Sequence, residues 1–287
     1  TTSPWRDYLE LTKPSITRMC AIMATAGLWL APGEKSWTLI LGCLLGTVLS
    51  VASANALNMW WERETDQRMT RTRNRPLAAG RMAPGRALAF GVVIGLISLG
   101  VLLATTTVLT TALAAFALLS YVLVYTPLKF RSPLALVVGA VPGAVPPLLG
   151  WTAVTGALDP GGIALFGLLL VWQMPHFLAI SLFRRTDYAE AGIQVVPVVR
   201  GERVAKIQAV AWSAALLPAS LALTPLGVAG TLYLGVATVL GLGFIVLSLA
   251  LFRGAGGNKP AYRLFGYSLV YLPVVSLALV LDVTVFG

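Results

Sequence analysis

Histidine occurs once in this 287-residue sequence and cysteine twice, and Lys, Arg, Asp and Glu together make up only 11% of it. Soluble chains carry about 25% charged residues, so this thin supply excludes a water-soluble globule. Cys20 and Cys43 both lie inside apolar runs, which excludes a disulfide framework and a metal–thiolate cluster alike. The apolar–polar alternation of a transmembrane β-strand is missing too; apolar runs of about 20 residues recur instead. No polar stretch is long enough to fold as a nucleic-acid-binding module, so the net charge of +10 does not signal a nucleic-acid partner.

What is present is apolar: 57% hydrophobic residues and a mean hydropathy of +0.82 describe an all-α polytopic membrane protein embedded in lipid. Nine spans are expected, at roughly 16–32, 36–59, 87–104, 107–125, 134–154, 162–182, 205–223, 228–251 and 265–285. The polar segment Thr1–Ser15, with Pro4 and Pro14, does not read as a cleavable signal. With the N-terminus in the cytoplasm, 20 of the 21 basic residues fall on the cytoplasmic side, Lys35 being the exception, and the C-terminus ends outside. That pattern predicts a plasma (inner) membrane protein of one domain, 1–287. Two long inner loops, 60–86 and 183–206, follow spans four apart, which suggests two four-helix halves, about 10–126 and 133–252, plus a ninth helix.

The first long loop carries the densest chemistry. From Asn55 the chain reads N-A-L-N-M-W-W-E-R-E-T-D, and on a helix Asn58, Glu62 and Asp66 share one face, with Asn55 one turn deeper. Carboxylates and amides offer only hard oxygen ligands, which suits Mg²⁺ rather than Zn²⁺, and Mg²⁺ held by one or two carboxylates usually shares its shell with substrate phosphates. Arg68, Arg71, Arg73 and Arg75 follow at once as bidentate phosphate donors. The competing reading makes the acids partners of these arginines on a solvated face; amides climbing into an apolar span argue for a site.

Other candidates lie elsewhere in the chain. Asp187, directly after span 6, can pair with Arg184 or Arg185. Lys129 and Arg131 serve as diphosphate contacts or as positive-inside anchors. His176, inside span 6 directly after Pro175, offers an iron ligand, a proton carrier or an interhelical hydrogen bond. Trp60, Trp61, Tyr121, Tyr125, Trp172 and Phe177 form an interfacial belt or an aromatic wall able to face a carbocation. Pro142, Pro146 and Pro147 predict a broken fifth span lining a cavity, or packing around a kink.

The run N-M-W-W-E-R-E-T-D-Q-R-M-T-R-T-R-N-R-P-L resembles the first aspartate-rich motif of the UbiA superfamily of intramembrane prenyltransferases, in the form of its haem-modifying branch. L-T-K-P at 11–14, Y-T-P-L-K-F-R-S-P-L at 125–134, G-A-V-P-P-L-L-G-W at 143–151, W-Q-M-P-H-F at 172–177 and D-Y-A-E-A-G at 187–192 resemble the same branch in the same order. The resemblance implies nine helices around a cavity open to the cytoplasmic side, and Mg²⁺-dependent transfer of a farnesyl group from farnesyl diphosphate to a vinyl group of haem B. It further implies that Asn58, Glu62, Asp66 and Asp187 hold metal, and that Lys13, Arg68, Arg71, Arg75, Lys129, Arg131 and Tyr188 hold diphosphate. Tyr125 would line the cation site, His176 would meet haem, and a downstream haem-modifying enzyme would take the product. Two departures stand out: Glu62 replaces the commoner aspartate, and Ala191 stands where relatives acting on quinone precursors carry a second acid, with Glu190 nearby.

An aromatic quinone precursor remains the alternative acceptor. A secondary transporter is disfavoured because its ionisable residues belong near the bilayer midplane, whereas these cluster at one face. The D-x-x-D-G-x-x-A-R pattern of CDP-alcohol phosphotransferases is absent.

Overall fold

The computed structural model describes residues 4–253 and 257–285. Among them every regular element is helical: α1 (Pro4–Leu11), α2 (Pro14–Leu30), α3 (Trp37–Asp66), α4 (Pro84–Thr105), α5 (Val108–Leu119), a π-turn (Ser120–Tyr125), α6 (Thr126–Leu128), α7 (Ala135–Thr155), α8 (Pro160–Phe183), α9 (Arg185–Glu190), α10 (Val196–Val199), α11 (Glu202–Leu221), α12 (Thr231–Leu249) and α13 (Lys259–Val285). Local chemistry sets the starts. Pro14, Pro84 and Pro160 sit in first turns, where a missing N–H costs nothing, and Ser36, Thr107 and Asp159 accept the backbone N–H of Leu39, Thr110 and Gly162 as N-caps.

Among the described residues, eight helices are long and apolar enough to cross a membrane. The seventeen-residue α2, Pro14–Leu30, occupies the place of the first expected span. Consecutive long helices pack side by side, from α2 on α3 and α3 on α4 through α11 on α12 and α12 on α13, and α13 returns to touch both α8 and α2. The most buried helix is α7. Lipid offers no hydrophobic drive for helix association, so small residues and hydroxyls supply the contacts. A Cβ on Gly27 would strike the backbone of Pro147, and one on Gly150 would strike that of Ala24, so these two glycines let α2 and α7 touch backbone to backbone. Ser53 donates to the Gly91 carbonyl and Ser98 to that of Gly46, both at 2.7 Å, tying α3 to α4. The largest apolar cluster lies among α7, α8, α11, α12 and α13 around the fully buried Tyr233, Phe244 and Tyr271.

Two expectations change. The fifth span is not broken: α7 runs from Ala135 to Thr155 with Pro142, Pro146 and Pro147 inside it, all buried. Proline's fixed φ already suits a helix, and Pro147 seats its backbone against Gly27 of α2. The fourth span, expected as plain helix over 107–125, instead widens into the π-turn before Pro127. A proline ring crowds the carbonyl four residues back, and a wide turn relieves that clash.

Candidate functional site

Helix α3 outlasts the apolar run and carries its buried face to Asp66, so Asn55, Asn58, Glu62 and Asp66 all point inward while Glu64 faces out. Glu62 and Asp66 are only 6% and 3% exposed, so each needs a compensating cation. Each has one: Lys129, just past α6, pairs with Glu62, and Arg75 grips both oxygens of Asp66 at 2.9 and 2.8 Å.

Asn58 sits between them. Its Nδ2 donates to Glu62 and, at 3.2 Å, to the Thr126 hydroxyl, while its Oδ1 accepts from Lys13 Nζ at 2.9 Å. Lys13 bridges α1 and α2 with φ of 46°, the one non-glycine residue in the left-handed region among those described. Burial pushes its ammonium down to about 7, with Arg75 adding to the fall and Glu62 opposing it. Such a backbone persists only where the surroundings hold it. Here Arg81 does so, donating to Asp7 at 2.9 Å and Glu10 at 3.0 Å on α1, and to the Asn74 carbonyl at 2.7 Å.

The loop after α3 folds back over the site. Thr72 donates to the Asp66 carbonyl at 2.9 Å, and Leu77 and Met82 pack with Leu11, Ala56, Met59 and Ala87. The second long loop meets it through Met69, which packs on Ala191 and Ile193 beside Phe130 and Tyr188. Arg71 spans the same seam, its guanidinium 5.3 Å from the Tyr188 ring centroid and 3.3 Å from its hydroxyl.

The expected residues are therefore brought together unevenly. Lys13, Asn58, Glu62, Asp66, Arg75 and Lys129 converge directly, and Tyr125 lies nearby with its ring against Gly139 and 5.0 Å from that of Tyr121. Tyr188 and Arg71 stand at the loop seam. Arg68 and Arg131 are exposed, without a side-chain ion pair among the described residues. Asp187 pairs with Arg184 at 3.3 Å, and no cluster of three or more His, Cys, Asp or Glu side chains forms among the described residues.

His176 lies in α8 stacked on Trp172, with ring centroids 4.9 Å apart, and its Nδ1 is 2.7 Å from Ser268 Oγ on α13. The serine proton goes to the Phe265 carbonyl at 2.6 Å, so Oγ must accept from Nδ1–H and the lone pair of the imidazole stays on Nε2. The interhelical bond weighed for this histidine is thus present, on one nitrogen. Sequence reasoning missed Thr126, Asp7 and Arg81; only Pro127, beside Thr126, carried a local signal.

A family model described as the UbiA prenyltransferase family matches residues 20–270. Among curated relatives, the protoheme IX farnesyltransferase of Myxococcus xanthus (strain DK1622) is 48% identical over 96% of this chain and 94% of its own length. That of Symbiobacterium thermophilum is 45% identical over 97% and 94%. Among solved structures, a digeranylgeranylglyceryl phosphate synthase in membranes superposes with a TM-score of 0.82 at 18% identity, covering 97% of this chain and 98% of that one. A UbiA homologue from Archaeoglobus fulgidus bound to DMAPP and Mg²⁺ does so with a TM-score of 0.68 at 18% identity, covering 96% and 99%. These two show a shared fold.

Proposed function

The chain belongs to the UbiA prenyltransferase family, and we infer that it is an integral membrane prenyltransferase moving a farnesyl group from farnesyl diphosphate to a vinyl group of haem B. The geometry that carries this reading is the convergence of Lys13, Arg75 and Lys129 on the buried face of Asn58, Glu62 and Asp66. The acceptor follows from the relatives' names.

The donor set fits Mg²⁺. Two buried carboxylates and an amide are hard oxygens, and the cations that neutralise them are the groups a diphosphate would recruit. Once Lys129 and Arg75 turn to phosphate oxygens, charge balance calls for a cation beside Glu62 and Asp66. Mg²⁺ held by Asn58, Glu62 and Asp66, with Asp187 as a further candidate, would neutralise the leaving diphosphate.

The protein's own groups account for the rest. Lys13, Lys129 and Arg75 bind the diphosphate, with Arg71 and Tyr188 at the loop seam and Arg68 and Arg131 at the rim. The C–O bond breaks with its electron pair going to diphosphate, and the Tyr125 and Tyr121 ring faces stabilise the allylic cation. The vinyl carbon of haem B bonds to farnesyl C1; water then captures the cation on the porphyrin side and gives up a proton, leaving a hydroxyethylfarnesyl group. Packing of the two loops over the site keeps bulk water away until the new carbon–carbon bond has formed. Incubating purified protein with haem B, farnesyl diphosphate and Mg²⁺ tests the reading; a mass spectrum with no farnesylated, hydrated haem would exclude it, and transfer to an aromatic quinone precursor instead would reassign the acceptor.

His176 is proposed as the haem contact, supported by the lone pair that its bond to Ser268 leaves on Nε2. His176→Ala is expected to weaken haem binding about 5- to 100-fold and change the haem absorption spectrum, with diphosphate binding unchanged. A variant with the parent spectrum and haem affinity would return His176 to a purely structural role. The charge asymmetry supports a cytoplasmic N-terminus in the inner membrane; a downstream haem-modifying enzyme would receive the product. Under that orientation a cysteine at Ser36 reacts with an impermeant maleimide from outside intact cells and one at Arg73 does not; the opposite pattern inverts the topology.

A further inference from the structure

The π-turn runs directly into a residue that the reaction scheme above does not use. Thr126 is fully buried, and its backbone N–H and its hydroxyl both point at the Tyr121 carbonyl, the hydroxyl at 2.9 Å. With its proton committed there, the hydroxyl oxygen can only accept, and what it accepts is Nδ2–H of Asn58 at 3.2 Å. On the other side of the carboxamide, Lys13 Nζ donates to Oδ1 at 2.9 Å. An asparagine amide is otherwise free to turn over, which would exchange its oxygen and its nitrogen. Thr126 and Glu62 on the nitrogen side and Lys13 on the oxygen side together remove that freedom. The π-turn makes this possible, because Pro127 forces the widening that carries Thr126 onto α3 next to Asn58.

We propose that Thr126 is a positioning residue for prenyl transfer: its hydroxyl locks the Asn58 carboxamide with Oδ1 facing the diphosphate–Mg²⁺ side and Nδ2 facing Glu62. The proposal rests on the reading of Asn58 and Glu62 given above. The wide turn is then functional twice over, placing Tyr125 against Gly139 on one side and the hydroxyl that sets the ligand amide on the other. Loss of the hydroxyl leaves the fold alone and blurs the orientation of one oxygen.

Thr126→Ser keeps the hydroxyl and drops a methyl; Thr126→Ala drops both; Thr126→Val keeps the shape and drops only the hydroxyl. The three are compared with the parent protein in detergent by Mg²⁺ half-saturation and KM for farnesyl diphosphate, by KM for haem B, and by the rise in Tm on adding Mg²⁺ with inorganic diphosphate. The valine and alanine variants are expected to raise the Mg²⁺ half-saturation and the farnesyl diphosphate KM about 10-fold and to lose the diphosphate-induced rise in Tm. Their KM for haem B stays unchanged, and the serine variant matches the parent. Should the valine variant fail to fold, the serine–alanine comparison decides. Equal behaviour of serine and alanine, or a fall in unliganded Tm with an unchanged Mg²⁺ half-saturation, overturns the proposal. A parent protein that neither gains Tm from Mg²⁺ with diphosphate nor turns over refutes the site reading itself, and the role of Thr126 falls with it.

Discussion

Asp66→Asn is expected to cut turnover by at least about 100-fold at saturating Mg²⁺ while the protein remains folded, and Glu62→Gln to cut it likewise with a larger fall in Tm, because the poorly exposed Lys129 loses its partner. The change keeps size and shape but removes a charge from a face where the charges are buried and paired. Asp66 does two things that an amide cannot: it holds Arg75 through both oxygens, and it supplies an anionic ligand for a hard cation. Arg75 remains partly exposed and finds water when its partner is lost, so the cost falls on catalysis more than on stability. Steady-state rates over an Mg²⁺ series, with Tm as the folding control, read the two apart. Near-parent activity in both variants would remove the acidic face from the chemistry and leave it as a set of ion pairs.

How far the sequence already displayed this site depends on how local each part is. Asn58, Glu62 and Asp66 were legible because helical period alone places residues four apart on one face, and α3 does run unbroken through all three. The spans were legible because apolar runs of bilayer length mean little else. The partners of those residues were not. Lys13 reaches Asn58 across 45 positions, Arg81 reaches Asp7 across 74, and Ser268 meets His176 across 92, and no periodicity connects such pairs. The first loop read as a row of phosphate-binding arginines, yet Arg75 holds Asp66 and Arg81 straps α1, so one motif holds both ligand and scaffold. The π-turn was hidden because its six residues are as apolar as any helix; Pro127 marked a disturbance without saying which kind. Asp187 shows the limit from the other side, since its local pairing with Arg184 was foreseen as an alternative and is the one the structure contains.

Lys129→Met is expected to damage both stability and turnover, and the way the two separate on a second substitution is diagnostic. Glu62 and Lys129 have side chains only 7% and 14% exposed, so removing the ammonium leaves a carboxylate in a poorly hydrated cluster with just the Asn58 amide beside it. Breaking such a buried pair from one side costs about 3–5 kcal/mol, whereas replacing both partners with neutral groups is often close to neutral. The double variant Glu62→Gln with Lys129→Met should therefore regain most of the lost Tm, a positive coupling in a double-mutant cycle. Turnover should not return, because the neutral pair offers neither a phosphate contact nor an anionic metal ligand. Had the pair been a structural strut, Tm and rate would recover together. A charge pair that the fold tolerates only because the substrate needs both halves predicts recovery of the first without the second.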